Sequence, residues 1–99
     1  MNSLSSIALS GLSTAQLSLD VSAGNVANAL TPGFRRQQVV QSAEPGGGVS
    51  GAVARLPQDG SDLAADLVGQ QAAAYSFKAN LKVLQTADRM MGSLLNAFA

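Results

Sequence analysis

Apolar and small residues recur along the start of the chain at the spacing of a helix. Ala8, Leu12, Ala15, Leu19, Ser22, Val26 and Ala29 follow one another in alternating steps of four and three, the seam of a heptad repeat. Leu4, Ile7, Ala23 and Leu30 widen the stripe. The pattern predicts a first helix from about Ser3 to Leu30, roughly 40 Å long at the α-helical rise, with Asn2 or Ser3 able to cap its start. Thr31-Pro32-Gly33 ends it, because the Pro32 ring pushes Thr31 out of helical geometry and Gly33 permits a turn.

A second seam is longer. Leu63, Leu67, Gln70, Ala74, Phe77, Leu81, Leu84, Asp88, Met91, Leu95 and Phe98 keep the same alternation, and only Gln70 and Asp88 interrupt its apolar character. Ser61 is placed to be the N-cap, and Asp62 and Asp66 sit where the helix dipole favours acids. About 36 residues of helix are predicted, roughly 54 Å. Between the helices, Glu44-Pro45-Gly46-Gly47-Gly48 and Pro57-Gln58-Asp59-Gly60 mark off two stretches, Arg35 to Ser42 and Val49 to Leu56. Each is long enough for one strand, and Val49, Gly51 and Val53 alternate with Ser50, Ala52 and Ala54. The middle is either a small β-hairpin or an extended flexible loop; a lone hairpin must lean on a helix or a neighbour.

The fold class is therefore mostly α. Two long helices form an α-helical hairpin or coiled coil, joined by a short β-hairpin or loop. Residues 1–33 make the N-terminal helix, 34–60 the middle segment and 61–99 the C-terminal heptad helix. The arms differ in length, so part of the second helix should lack an intramolecular partner.

Composition changes what such a hairpin can be used for. In 99 residues, six basic and six acidic side chains cancel, which removes the electrostatic basis for binding nucleic acid. Cys and His are both absent, which excludes disulfides and thiolate metal sites and takes away the commonest general base. No cofactor, metal or catalytic site is expected, and the chain does not read as an enzyme. Residues 1–34 carry a single charged side chain, Asp20, unusual for a solvated helix face. Yet Ser, Gln, Asp and Asn interrupt every window long enough to span a bilayer, so no membrane span is expected. No basic region precedes the first apolar residues, so any export would proceed without a cleaved leader.

Ala8, Ala15 and Ser22 bring little apolar area to the seam, but they let helices approach closely. A hairpin of this size with such a core is marginal alone, which points to obligate assembly. Gly11 costs about 1 kcal/mol within a helix, a cost that close approach by another helix would offset. Asn25 and Asn28 either cap the helix end or hydrogen-bond the backbone of the middle segment or of a neighbouring chain. Arg35 and Arg36 lie either in a solvated loop or against an acidic partner surface. Gly46-Gly47-Gly48 is a turn, not a phosphate loop, since no Lys or helix follows. Phe77 belongs to the core and Tyr75 packs at its edge. Gln70 is a polar seam residue that fixes register or partner number. Asp88 is expected either exposed near the end of the helix or paired with Arg35, Arg36 or Arg89 of another chain.

The run from Ser10 to Arg36, SGLSTAQLSLDVSAGNVANALTPGFRR, resembles the N-terminal signature of the bacterial flagellar rod, hook and hook-associated axial proteins, SGL-x-A-x-Q-x-x-LDV-x-ANNIAN-x-x-TPGFKR. Gly24 stands for the first Asn of the pair and Arg35 for Lys. Asp62-Leu63, Asp66 and the run from Phe77 to Met91 are similar to the family's C-terminal DL-x-x-E and YQAN-x-KVIQTADEM. Here Gln70-Gln71 replaces an apolar pair and Tyr75 an Arg. The resemblance covers roughly two thirds of the chain, and the short middle is that of the smallest, proximal rod members.

The resemblance implies a structural rod subunit whose terminal helices pack into the wall of a tube. By that reading Leu12, Ala15, Gln16, Leu19, Asp20, Val21, Asn25, Asn28, Thr31, Gly33 and Phe34 are subunit-packing residues of the N-terminal motif. Leu63, Leu67, Phe77, Asn80, Leu81, Leu84, Met91 and Leu95 are those of the C-terminal seam. The implied partners are further copies, other flagellar axial proteins and the flagellar type III export apparatus. The implied location is the periplasmic rod of the basal body. A competing reading from another class is a soluble, self-associating adaptor or regulator of the export system. An amphipathic membrane-surface helix is disfavoured, because the polar faces lack a Lys/Arg excess.

Overall fold

A computed structural model describes residues 2–98, with side chains from Leu4 onward; the capping expectation at Asn2 or Ser3 falls outside the described side chains. Helix α1 (Asn2–Ala27) leads through a turn to strands β1 (Gln37–Ala43) and β2 (Val49–Arg55), and helix α2 (Leu63–Phe98) completes the chain. The molecule measures 63 × 25 × 13 Å, its long dimension set by α2.

Helix α1 stops three residues before the predicted end. Asn28 donates its side-chain amide to the Gly24 carbonyl at 2.8 Å, and the Thr31 N–H bonds the Asn28 carbonyl at 3.0 Å, so the chain tightens into turns ahead of Pro32. Gly33 adopts φ 72°, the left-handed conformation that glycine takes without penalty. The helix-end reading of Asn28 holds.

Of the two readings of the middle segment, the hairpin is the one formed. β1 and β2 pair antiparallel, with Val39 opposite Val53 and Ala43 opposite Val49. The loop between them closes by a Gly47 N–H to Glu44 carbonyl bond at 3.0 Å, with positive φ at Gly47 and Gly48. Both strands pack on α1, and neither packs on α2 among the described residues. Gly51 allows this: a Cβ there would meet Thr14, Leu17 and Val39 at 3.1–3.3 Å. The Val49 N–H donates to Ser10 Oγ at 3.1 Å and pins the far end.

Helix α2 has the predicted length of 36 residues, but its cap is Asp62 rather than Ser61. Asp62 Oδ1 accepts the Ala65 N–H at 3.1 Å, because the helix begins at Leu63 and Asp62 therefore holds the capping position.

The two helices pack antiparallel on small residues. Ala8 and Ala15 of α1 and Ala73 and Ala87 of α2 are buried, and no large side chain is fully buried among the described residues. On α1 the predicted seam lies at the contact, with Leu12, Leu19, Ser22 and Val26 half-buried. On α2 the predicted seam is rotated. Gln70, Ala74, Phe77 and Leu84 are half-buried, but Leu63, Leu67, Leu81, Met91 and Leu95 are exposed, and the closest-packed positions are Asp66, Ala73 and Ala87. Small residues win the contact because they let the backbones approach; Gly11 lies so close to Asn80 that a Cβ would overlap its carboxamide. Tyr75 does not pack at the edge as expected; it is 78% exposed.

Candidate functional site

The polar groups that sequence left as alternatives converge where both helices meet the base of the hairpin. Asn25, buried in the last turns of α1, grips the Gln37 peptide from both sides. Its Nδ2 donates to the Gln37 carbonyl at 2.8 Å, and its Oδ1 accepts the Gln37 N–H at 2.9 Å. The middle-segment reading of Asn25 is thus the one realised. The same Nδ2 donates to Asp66 Oδ1 at 3.3 Å.

Asp66 is only 4% exposed, so an unpaired carboxylate there would be costly. Arg36 supplies the partner: Nε donates to Oδ2 at 3.1 Å and Nη2 to Oδ1 at 2.5 Å, a two-pronged guanidinium–carboxylate pair. The hydrogen bond to Asp66 raises the Arg36 pKa above its ordinary value, burial opposes that rise, and the nearby charges of Asp66 and Asp62 add to it. Arg36 is therefore neither in a solvated loop nor turned to a partner surface, because the buried acid lies within its own chain. Arg35 is also engaged, its Nε donating to the Leu56 carbonyl at 2.8 Å. Arg55 donates to the Arg35 carbonyl at 3.0 Å and lies 5.7 Å from the centre of the half-buried Phe34 ring.

The remaining N-terminal motif residues divide by position. Leu12, Ala15, Leu19, Val21 and Asn25 are taken up inside the molecule, and Asn28, Thr31 and Gly33 form the turn. Gln16 and Asp20 lie on the outside, hydrogen-bonded to each other at 3.0 Å.

The outer surface is unusually apolar for its length. Val68, Met90, Leu94 and the exposed seam residues Leu63, Leu67, Leu81, Met91 and Leu95 are all on α2. Beyond Ala87 every described residue is exposed, with Leu95 at 67% and Phe98 at 82%. This is the unpartnered stretch that unequal arms predicted. At the other end Leu30 is 96% exposed. Among the described residues no group of three or more metal-ligating acids is gathered, and no helix is long and apolar enough to cross a membrane. A groove of about 740 Å³ runs between the helices under the hairpin, lined by Gly11, Ser18, Ser22, Gly69 and Asn80 among others.

Asp66 lies in the first turn of α2, where sequence reasoning placed it, but its burial and its pairing with Arg36 were missed. Its position in the first turn of a helix satisfied the dipole argument, and nothing in its spacing pointed to an arginine thirty residues earlier.

Residues 6–35 match the family model described as flagella basal body rod protein, a span covering most of α1 and the turn through Gly33 to Arg35. No curated protein matches the chain. The likeness to the flagella basal body rod protein family thus rests on that N-terminal span, α1 and the turn that follows it.

Proposed function

We propose that the chain is a structural subunit of the flagellar rod that self-assembles through its N- and C-terminal helices and serves flagellum-dependent motility. The observation that carries the reading is the apolar end of α2, in which Met90, Met91, Leu94, Leu95 and Phe98 project past the end of α1 and are not covered by any of the described residues. Exposed apolar area of this kind marks an interaction surface, and a subunit stacked in a tube would bury it. The exposed Leu63, Leu67 and Leu81, and the outward Gln16 and Asp20, offer further contact to neighbouring copies or to other axial proteins. The chemistry is packing alone, and no catalytic step is assigned.

By this reading the chain reaches the periplasmic rod through the flagellar type III export apparatus. A thin hairpin with a small-residue core suits that route, since little stability has to be undone before passage. Isolated basal bodies test the proposal. Mass spectrometry should find the chain in them in subunit amounts, and deletion of its gene should leave motility impaired. A chain recovered only from the cytoplasm, bound to components of the export system, would favour the adaptor reading instead.

A further inference from the structure

The hairpin ladder leaves one edge of β1 open. The Leu56 N–H bonds the Arg36 carbonyl at 2.8 Å, and the Glu44 N–H bonds the Gly48 carbonyl at 3.1 Å. The register runs from Gln37 opposite Arg55 to Ala43 opposite Val49 without a bulge, so the even-numbered residues of β1 spend their peptide groups on β2. Gln37, Val39, Gln41 and Ala43 turn theirs the other way. Gln37 is already served: the Asn25 carboxamide donates to its carbonyl and accepts its N–H, the two-way exchange that a paired antiparallel residue makes. Asn25 thus stands in for the first residue of a third strand. Beyond it, Val39, Gln41 and Ala43 present N–H and C=O groups with no partner among the described residues. Open edges are ordinarily guarded by charge, proline or a bulge, and β1, QQVVQSA, has none of these.

That edge borders the groove between the hairpin and the helices. Val39 and Gln41 form one side, Gly69, Ala72 and Ser76 of α2 the other, and Ser18 of α1 lies in the floor. At the usual spacings between strands and between sheets, a strand takes up about 160 Å³ per residue. The groove's volume of about 740 Å³ therefore holds one strand of roughly four or five residues. The charged residues of its lining, Arg36 and Asp66, are spent on each other.

We propose that the outer edge of β1 takes up an extended, uncharged segment of another protein as a third strand. Its main chain bonds Val39, Gln41 and Ala43. Paired residues share a face of the sheet, and Gly51, opposite Gln41, faces α1, so the segment's paired residues turn toward the helices and must be small. A second copy is a poor occupant. Its strands are committed to its own hairpin, and its connections carry Pro32, Arg35 and Arg36, or Pro57, Asp59 and Asp62. Docking its whole hairpin edge to edge needs room for two strands where the groove holds one. This edge is separate from the exposed end of α2, so the proposal does not depend on the rod reading.

Amide exchange of the full chain, resolved by NMR at a concentration where sedimentation shows monomer, tests it with the peptide acetyl-Thr-Ala-Thr-Ala-Thr-Ala-Thr-amide. With peptide at about 5 mM, exchange at Val39, Gln41 and Ala43 should slow about tenfold, the protection given by a Kd of about 0.5 mM. Gln38, Val40 and Ser42, whose amides serve the hairpin, should not change. Unaltered exchange at the three outer amides would overturn the proposal. Gln41→Pro removes an N–H that the hairpin does not use, at a kind of position where edge strands accept proline. It should keep the circular dichroism of the wild type and lose the protection at Val39 and Ala43; protection that persists would refute pairing at this edge. Should the proline melt the hairpin, the peptide N-methylated at its three alanines decides in the wild-type chain. Loss of protection with it supports the third strand, and equal protection refutes it. Protection that rises with protein concentration in the absence of peptide would give the edge to a second copy and overturn the assignment.

Discussion

Replacing Gly11 with alanine sets two effects of known sign against each other. In a helix interior alanine is favoured over glycine by about 1 kcal/mol. At Gly11, however, a Cβ would overlap the side-chain carboxamide of Asn80, which is itself held by a 2.9 Å bond to the Ser76 carbonyl. Overfilling a packed contact costs about 1–3 kcal/mol. The net expectation is a destabilisation of about 0–2 kcal/mol, by subtracting the propensity gain. In an Asn80→Ala background the obstacle is gone and only propensity remains, so Gly11→Ala should stabilise by up to about 1 kcal/mol. The coupling between the two sites is then about 1–3 kcal/mol, well above the scatter of independent mutations. Urea unfolding of the four proteins, followed by circular dichroism at a concentration where sedimentation shows monomer, measures it directly. An effect of the same sign and size in both backgrounds would mean that α2 does not lie over Gly11, and the antiparallel alignment would fall with it.

Three further outcomes follow from the same geometry. In the monomer Leu84→Ala should cost about 1–3 kcal/mol and Leu81→Ala under about 1, since Leu84 is half-buried and Leu81 exposed; equal losses in thermal unfolding would restore the unrotated seam. Because the hydrogen bond to Asp66 raises the Arg36 pKa above its ordinary value, the guanidinium stays charged through neutral and mildly alkaline pH, and its contribution is lost on the alkaline side only as pH rises through the folded pKa. The melting-temperature gap between wild type and Arg36→Met should therefore stay constant from about pH 7 to about pH 10, and a gap that closes over that window would show that the guanidinium is not held as described. Leu95→Asp should abolish concentration-dependent association in sedimentation while leaving helix content unchanged, and unaltered association would remove the α2 end from the interface.

The elements were legible because their punctuation is strong. Pro32-Gly33, the Pro45 to Gly48 run and Pro57 to Gly60 separate segments whose periods differ, and the helices and hairpin fall between them. The facing side of α2 was not legible. A heptad reading follows the largest apolar side chains, and here Leu63, Leu67, Leu81 and Leu95 are turned outward while Ala73 and Ala87 make the close contact. A pattern of hydrophobicity states that a residue wants to leave water, not which molecule it meets. The pairing of Asp66 was not legible for a related reason, since a first-turn acid is ordinarily explained by the helix dipole. Asn25 was half legible: its two readings were stated, and the 2.8 and 2.9 Å bonds to Gln37 choose between them. The exposure of Asp88 was one of two expected outcomes and needs no partner within the chain.

The claim that this is an exported rod subunit meets its most direct test in cell fractionation of two strains, one wild type and one lacking the flagellar export gate. The chain should leave the cytoplasm in the first and be retained there in the second. Delivery outside the cytoplasm without the gate, or retention inside it in both strains, would contradict the account.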